Sequence, residues 1–487
     1  MTNEDLLKKV IAHCKEYGFV FQSSEVYDGL AATYDYGQNG VELKNNIKNY
    51  WWKSMVQLNE NIVGLDSAIF MHPKVWKASG HVDMFNDPMI DNKTSKKRYR
   101  VDHLLEDQIE KYKNKNKTDL ADILQKEMDT ALATDNMEIL HQLVISHEIT
   151  CSVSGTKDWT EVRQFNLMFS TEIGAITDDA SKIYLRPETA QGIFINFLNV
   201  QKSGRMKIPF GIAQTGKAFR NEVIARQFIM RMREFEQMEM QFFVKPGTQQ
   251  EWYDVWKKKR LDWHLAMGIH PEKYRYHNHA KLAHYADNAV DIEFEFPFGF
   301  KEVEGIHSRT DFDLKQHEQF SGKKLQFFDA VDNVNYNPYV IETSIGLDRC
   351  FLLLMCNAYT EETVTNGDKV DSRTVLKLPP FLAPIKAAIF PLTKKDGLPE
   401  KARAIMDDLK MHFNCFYEEK DAIGKRYRRH DAIGTPFCIT VDHDTLVDNT
   451  VTIRHRDTMT QKRIAIADLQ TEILKETDII NILKKIN

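Results

Sequence analysis

Between Lys217 and Phe243 the chain carries a pattern that few folds can accommodate. It reads Lys217-Ala218-Phe219-Arg220-Asn221-Glu222 and, after an intervening loop, Arg231-Met232-Arg233-Glu234-Phe235-Glu236-Gln237-Met238-Glu239-Met240-Gln241-Phe242-Phe243. Side chains alternate across a strand, so Met238, Met240 and Phe242 share one face, while Phe235, Gln237 and Glu239 share the other. The first set reads as core. The second places an aromatic ring and a carboxylate on a surface that Arg220 and Glu222, alternating on the preceding strand, also supply. A solvated sheet face would more naturally carry lysine, threonine and serine. The pattern predicts two paired strands with a working polar surface; an exposed hairpin with incidental charges is the competing reading.

At 487 residues the chain is too long for one hydrophobic core, and two or three domains are expected. No apolar run reaches the roughly 20 residues that span a bilayer. The acidic start Met1-Thr2-Asn3-Glu4-Asp5 lacks the basic, then apolar, character of a secretion signal. A cytoplasmic protein with no membrane partner is expected. The six cysteines, Cys14, Cys151, Cys350, Cys356, Cys415 and Cys438, form no CxxC pair, which predicts reduced thiols and no zinc. A formal net charge of −5 gives no global attraction to polyanions, so phosphate contacts must come from local patches. Lys96-Lys97-Arg98, Lys257-Lys258-Lys259-Arg260 and Gly424-Lys425-Arg426-Tyr427-Arg428-Arg429-His430 are the candidates, with solvated helix faces as the alternative.

Hydrophobic periodicity organises the rest. Leu43, Ile47, Tyr50, Trp51, Met55 and Leu58 fall at helical spacing, and the adjacent Trp51 and Trp52 widen the apolar stripe toward either a core or a homodimer interface. A strand is expected from Val63 to Met71, ended by Pro73. Residues 103–150 differ in character. A basic loop, Lys111–Lys117, precedes two short amphipathic helices, with a capping box expected at Asp135 and Glu138. Helix returns over 249–267. Asp291 to Phe298 alternates as a half-buried strand, and Tyr339 to Gly346 leads as a strand into an apolar helix. The proline cluster Lys377-Leu378-Pro379-Pro380-Phe381-Leu382-Ala383-Pro384 marks a domain boundary. Beyond it, alternating strands and helices predict a compact α/β domain. The organisation expected is a domain over 1–102 and 151–378, a helical insertion over 103–150, and a second domain over 379–487.

The polar groups suggest a polyphosphate ligand. Arg220 and Arg349 come from separate segments, and guanidinium groups bind phosphate oxygens bidentately. Phe235 suits purine stacking. Carboxylates at Glu188, Glu222 and Glu239 suit an ammonium group or magnesium. The sequence has neither a GxxxxGK[ST] loop nor a GxGxxG turn.

These residues resemble signature motifs. Phe219-Arg220-Asn221-Glu222 followed by Arg233-Glu234-Phe235 is similar to the second motif of class II aminoacyl-tRNA synthetases, and Gly346-Leu347-Asp348-Arg349 to the third. The Trp51 helix, the strand after it and Pro73 resemble the first, a dimerisation motif. Gly37 to Trp52, Val63-Gly64-Leu65-Asp66, Ala78-Ser79-Gly80-His81-Val82, Leu185 to Phe194 and Arg233 to Met240 resemble the homodimeric glycyl-tRNA synthetase family over nearly the whole chain.

The resemblance implies an α+β fold: an antiparallel sheet flanked by helices, a helical insertion over 103–150 touching the tRNA acceptor stem, and a C-terminal α/β anticodon-binding domain. It implies ATP-dependent joining of glycine to tRNA(Gly) through glycyl-adenylate, in a homodimer. Arg220, Arg349 and Glu188 are the implied catalytic residues. ATP would contact Arg220, Asn221, Glu222, Met230, Arg231, Met232, Arg233, Glu234 and Phe235, with Glu302, Val303, Gly346, Leu347, Asp348 and Arg349. Glycine would lie among Arg100, Glu188, Phe235, Glu236, Gln237, Met238 and Glu239, with Glu342, Thr343, Ser344, Ile345 and Gly346. Mg2+ accompanying ATP would take Glu302 as a ligand. Arg309 and Asp311 match the family pattern or form an ion pair. The chain departs from that pattern at Gly37-Gln38-Asn39-Gly40, which lacks a proline, and at Asn92–Ser95, where some relatives carry a cysteine pair. It also departs at Glu342-Thr343-Ser344 and at His307-Ser308, which replaces the more usual Ala-Asn. A class II synthetase for another amino acid and a non-enzymatic relative that binds nucleic acid are the rival readings.

Overall fold

The computed structural model describes residues 3–174, 182–223, 227–279, 282, 286–366 and 369–486. Its centre is a seven-stranded sheet. In chain order its strands are β1 (Ile62–Gly64), β2 (Phe210–Phe219), β3 (Glu234–Val244), β4 (Tyr274–Asn278), β5 (Asn288–Phe296), β6 (Gly299–Ser308) and β7 (Tyr339–Gly346). Across the sheet they run β4-β5-β6-β7-β3-β2-β1. All neighbours are antiparallel except β1, which pairs parallel to β2 through Ile62↔Gly211 and Val63↔Ile212.

The alternation of β3 decides what lies on each side. Met238, Met240 and Phe242 are buried in the main core with residues of three helices: α1 (Gln38–Trp52), α3 (Gln249–Leu265) and α4 (Leu347–Ala358). Helix α2 (Ala190–Gly204) covers the opposite face at one end, where Phe194 and Phe197 pack on Phe210, Phe243 and Val340. Each such ring buried is worth about 1.5–3 kcal/mol of transfer free energy. Gly192 lets α2 approach, since a Cβ there would lie 2.0 Å from Ser67 Oγ. Farther along β3, that face is open and polar.

Several expectations need correction. The strand predicted from Val63 to Met71 is only Ile62–Gly64, because Leu65 leaves the ladder after one more bond to Ala213 O. The 103–150 region contains three helices, Val101–Asn114, Thr118–Ala133 and Met137–Ser146. Its basic Lys111–Asn114 stretch continues the first helix. Ile109 and Tyr112 anchor that helix on a local core of Leu105, Leu124, Leu140 and Val144, and the lysines lie near its C-terminus, where cations are favourable. The cap of the third helix is Asn136, whose side chain accepts from Ile139 N, so Asp135 lies outside it. The terminal segment is two helices, Leu469–Thr477 and Ile480–Ile486; the second returns Leu483 to the main core.

Beyond the proline cluster, Ala387–Pro391 lies between Cys415–Tyr417 and Phe437–Val441 in a five-stranded sheet and is parallel to both. Buried arginines tie this unit to the rest: Arg456 Nη2 donates to Leu378 O at 2.8 Å and Arg373 Nη2 to Arg456 O at 2.8 Å. All six cysteines are free thiols. Among the described residues, no helix is long and apolar enough to cross a membrane.

Candidate active site

The open polar face of β3 forms the floor of a cavity. Arg220 and Glu222 stand just beyond the end of β2, not within it. Their backbone departs there because Arg220 N bonds to Arg233 O and Asn221 N to Leu167 O. Arg220, Glu222, Arg231, Phe235, Glu302 and Arg349 all line this cavity, with Met230, Met232, Gln237, Ser344, Gly346 and Asp348. The guanidinium of Arg220 lies between Phe85 and Phe235, 5.4 and 5.2 Å from their ring centres, and its Nε donates to Pro187 O at 3.1 Å. Two further arginines are held by carboxylates. Arg349 Nη1 is 2.9 Å from Glu302 Oε2, and its charge holds the Glu302 carboxyl below the usual range. Arg231 lies 3.7 Å from Glu222.

Deeper along the same face, β3, β7 and β6 place Gln241, Glu342 and His307 side by side, because Gln241 pairs with Glu342 and Glu342 with His307. Gln241 Nε2 donates to Glu342 Oε2 at 2.7 Å and to Glu239 Oε1 at 3.1 Å. Arg309 Nη1 donates to Glu342 Oε2 at 2.9 Å, and His307 Nδ1 is 2.9 Å from Glu342 Oε1. Thr189 Oγ1 donates to Glu239. Glu188 accepts from Gln191 at 3.0 Å and lies 3.4 Å from His81 Nε2.

Three carboxylates in one network, Glu239 and Glu342 buried and Glu188 half-buried, cannot all stay charged cheaply, and they divide accordingly. Burial would raise Glu342, but Arg309 and His307 outweigh it and bring its carboxyl down to about 2. Burial would likewise raise Glu188, yet His81, Arg309 and Gln191 hold it well below the usual range. At Glu239 the charge of Arg309 and the Thr189 hydrogen bond are too weak to offset the opposing causes. Burial, then the charges of Glu342 and Glu188, push it well above the ordinary 4.5.

The remaining site expectations sort by face. Glu236 points away from the cavity and pairs with Lys44 at 3.1 Å and Lys48 at 3.0 Å. Met238, Ile345, Leu347 and Val303 are buried in the core. Asp348 lines the cavity but is occupied by Lys44 at 2.9 Å, the Tyr36 hydroxyl and Glu236 N. Arg233 holds the loop through Glu222 O at 3.0 Å, Glu234 pairs with Lys217 at 2.7 Å, and Thr343 is buried. Arg100 does not line the cavity. It lies 3.1 Å from Asp87 and also pairs with Asp102, close enough to Glu222 for the charges to interact.

Arg309 pairs with Asp313 at 2.9 Å, not with Asp311, which pairs with Lys315. Helical spacing explains the choice: Asp313 and Asp311 both sit at the start of the helix Phe312–Ser321, but Asp313 is turned inward and buried. Sequence reasoning passed over His81, Gln191, Gln241 and Asp313 as site neighbours; only their polarity at buried helix and strand positions could have flagged them.

At Asn92–Ser95 the turn is closed by hydrogen bonds: Asn92 Oδ1 accepts from Ser95 N at 2.9 Å and from Ser154 Oγ at 3.0 Å. Within the basic patches Lys96, Lys97, Arg98, Lys258, Lys259 and Lys425 are exposed, whereas other members are spent inside the protein. Arg260 pairs with the buried Glu304. Arg426 is spent on backbone carbonyls, including Pro391 O at 2.6 Å, and Arg429 pairs with Glu418 and Asp421.

Family models match three parts of the chain. Residues 169–358 match the tRNA synthetase class II core domain (G, H, P, S and T), residues 386–476 the anticodon binding domain, and residues 87–123 and 116–167 the glycyl-tRNA synthetase insertion domain 1. The chain is 53% identical to a glycine–tRNA ligase of Chlorobaculum tepidum over 94% of its own length and 97% of the relative's. It is 50% identical to that of Treponema denticola, covering 96% and 97%. Solved structures of the same fold include a Giardia lamblia prolyl-tRNA synthetase (TM-score 0.62, 14% identity, 100% of this chain and 82% of that one). A Cryptosporidium parvum threonyl-tRNA synthetase chain also matches (TM-score 0.61, 14% identity, 95% and 96%).

Proposed function

The chain belongs to the glycine–tRNA ligases, within the class II aminoacyl-tRNA synthetases, and from that premise we propose how its sheet face carries the reaction. The enzyme attaches glycine to tRNA(Gly) using ATP, through glycyl-adenylate, releasing AMP and pyrophosphate. The observation that carries the site assignment is the convergence of Arg220, Glu222, Phe235, Glu302 and Arg349 on one cavity.

In this reading Phe235 stacks on adenine and Glu222 accepts from its amino group. Arg220 holds the α-phosphate and stabilises the charge that develops as the glycine carboxylate attacks, while Arg231 and Arg349 hold the β- and γ-phosphates. Such catalysis is positioning plus electrostatics. Bound Mg2+ supplies further neutralisation of the phosphates, and Glu302 is the proposed ligand. Glycine lies beside Gln237, Glu239 and Ser344, its ammonium facing Glu188 and Glu239 and its carboxylate directed toward Arg220. Val303, Leu347, Ile345 and Met238 contribute through their backbones, their side chains being core.

Selection needs no editing step. Every competing amino acid is larger, and a pocket closed by Glu342, Gln241 and Thr189 excludes a methyl group sterically. Pockets for larger side chains lack this option, because a missing methylene is worth only about 1–3 kcal/mol.

The boundaries 1–102 with 151–378, 103–150 and 379–487 are proposed as catalytic domain, acceptor-stem insertion and anticodon-binding domain. A homodimer in the cytoplasm is proposed with them. Trp51 is wholly enclosed in its own chain's core, so a second copy would meet the Trp52 side of α1. The direct test is Arg220→Ala. Glycine-dependent ATP–pyrophosphate exchange should fall roughly 10²–10³-fold, the effect of removing one preorganised transition-state donor, with an unchanged thermal transition. Undiminished exchange would remove Arg220 from the chemistry.

A further inference from the structure

Next to the amino-acid end, the outer strands carry a cluster of which only His307 belongs to the network around Glu342. His279 follows β4, Asp291 lies on β5 and His307 on β6. One nitrogen or oxygen from each lies within 4.8 Å of the others. Strand register explains the convergence: Asp291 is opposite Gly305, and His307 is opposite Ala289. Gly305 keeps the space between them clear, since a Cβ there would lie 3.2 Å from His307 Nε2 and 3.6 Å from Asp291 Oδ1.

His307 turns Nδ1 to Glu342 at 2.9 Å. A proton on Nδ1 satisfies that carboxylate and leaves the Nε2 lone pair facing the cluster. This is the carboxylate–histidine arrangement that orients metal-binding imidazoles. His279 Nε2 is buried and has no hydrogen-bond partner among the described residues, although Asp291 Oδ2 is 2.9 Å away. Because that contact lies outside hydrogen-bond alignment, a cation shared by the imidazole and the carboxylate would satisfy this nitrogen.

We propose that His279, Asp291 and His307 bind a divalent transition-metal ion of the zinc type, joined to the amino-acid pocket through His307 and Glu342. Two imidazoles and a carboxylate favour Zn2+ or Co2+ over Mg2+ or Ca2+, which take oxygen ligands. Tetrahedral ligands about 2.1 Å from zinc lie about 3.4 Å apart, so small side-chain rotations from the present spacing close the site. Three protein ligands leave one position for water. The site uses no cysteine, which is why cysteine spacing, the basis for expecting no zinc, could not reveal it. Bound metal would fix the His307 ring and so the Glu342 carboxylate at the edge of the glycine pocket.

The test uses full-length, chelator-treated protein without nucleotide, titrated with Co2+ and followed by visible absorption, and with Zn2+ by calorimetry. Wild type should take up one ion per chain with the d–d spectrum of a four- or five-coordinate site. His279→Ala and Asp291→Asn should each weaken binding at least about tenfold, with metal-free melting curves matching wild type. X-ray absorption of the zinc-loaded wild type should report two imidazole nitrogens and no sulfur, a readout that does not depend on either variant folding. Absence of wild-type binding, equal binding by both folded variants, or sulfur ligation would overturn the assignment.

Discussion

The two ends of one strand face are prepared for their ligands in different ways. At the nucleotide end the arginines are paired with carboxylates at the cavity wall. Arg349 is held by the exposed Glu302, and Arg231 lies at longer range from Glu222. On the proposed assignment, ATP phosphates would replace these carboxylates as partners of the two arginines, which stay charged and loosely placed until then. At the amino-acid end Glu239, Gln241, Arg309 and Glu342 are buried and joined into one network. On the proposed assignment, a large, flexible, highly charged ligand meets adaptable ion pairs and the smallest amino acid meets a rigid enclosure, because only rigidity can turn the absence of a side chain into selection.

The largest effect should come from breaking the rigid end. Arg309→Ala leaves Asp313 and Glu342 buried without their cation, a loss of about 3–5 kcal/mol. Denaturant unfolding checks it, and an unchanged midpoint would mean that the amino-acid end is not preassembled.

Next in size, Glu188→Gln should raise the KM for glycine roughly 10–100-fold, the worth of about 1.5–3 kcal/mol for a hydrogen bond to a charged group. The KM for ATP should stay near wild type; a shift in both would erase the distinction between the two ends.

Glu239→Gln should act through pH. Its carboxyl titrates above the ordinary 4.5 in the folded chain, so the folded state holds a proton that the unfolded state has lost. That contribution is complete below the unfolded value and disappears as pH rises through the folded value. Wild-type stability should therefore fall over that interval above pH 4.5, and the glutamine variant should flatten the decline. Parallel pH–stability curves would contradict the raised titration.

The smallest effect on stability belongs to Glu302→Gln at the adaptable end, under about 1 kcal/mol for an exposed ion pair. The Mg2+ concentration needed for exchange should rise in the same variant. A large stability loss with no change in Mg2+ dependence would make Glu302 a structural residue.

Much of the nucleotide end was legible because it is local. Period-two alternation separates Phe235, Gln237 and Glu239 from Met238 and Met240 without knowledge of neighbouring strands, and Gly346 to Arg349 marks a strand-to-helix junction within one short segment. The glycine end was legible only in part. Gln241, Glu342, His307 and Arg309 meet through the pairing of β3, β7 and β6, and strand order among distant segments cannot be read from periodicity. Charge also misled: Glu236 and Asp348 look like ligand groups, yet both neutralise Lys44 beneath the sheet. Arg426 and Arg260 looked like parts of an RNA-binding surface, but are buried and hydrogen-bonded inside the protein. In the insertion, the lysine-rich stretch from Lys111 to Lys117 reads as loop by composition, whereas packing of Ile109 and Tyr112 makes its first part, to Asn114, helix.

Amino-acid-dependent ATP–pyrophosphate exchange, run with glycine, alanine, serine, threonine and proline in turn, tests the central claim most directly. Glycine alone should drive exchange at substrate-level concentrations, with alanine and serine near background because the enclosed end admits no side chain. Exchange driven by serine or alanine in preference to glycine would contradict the account.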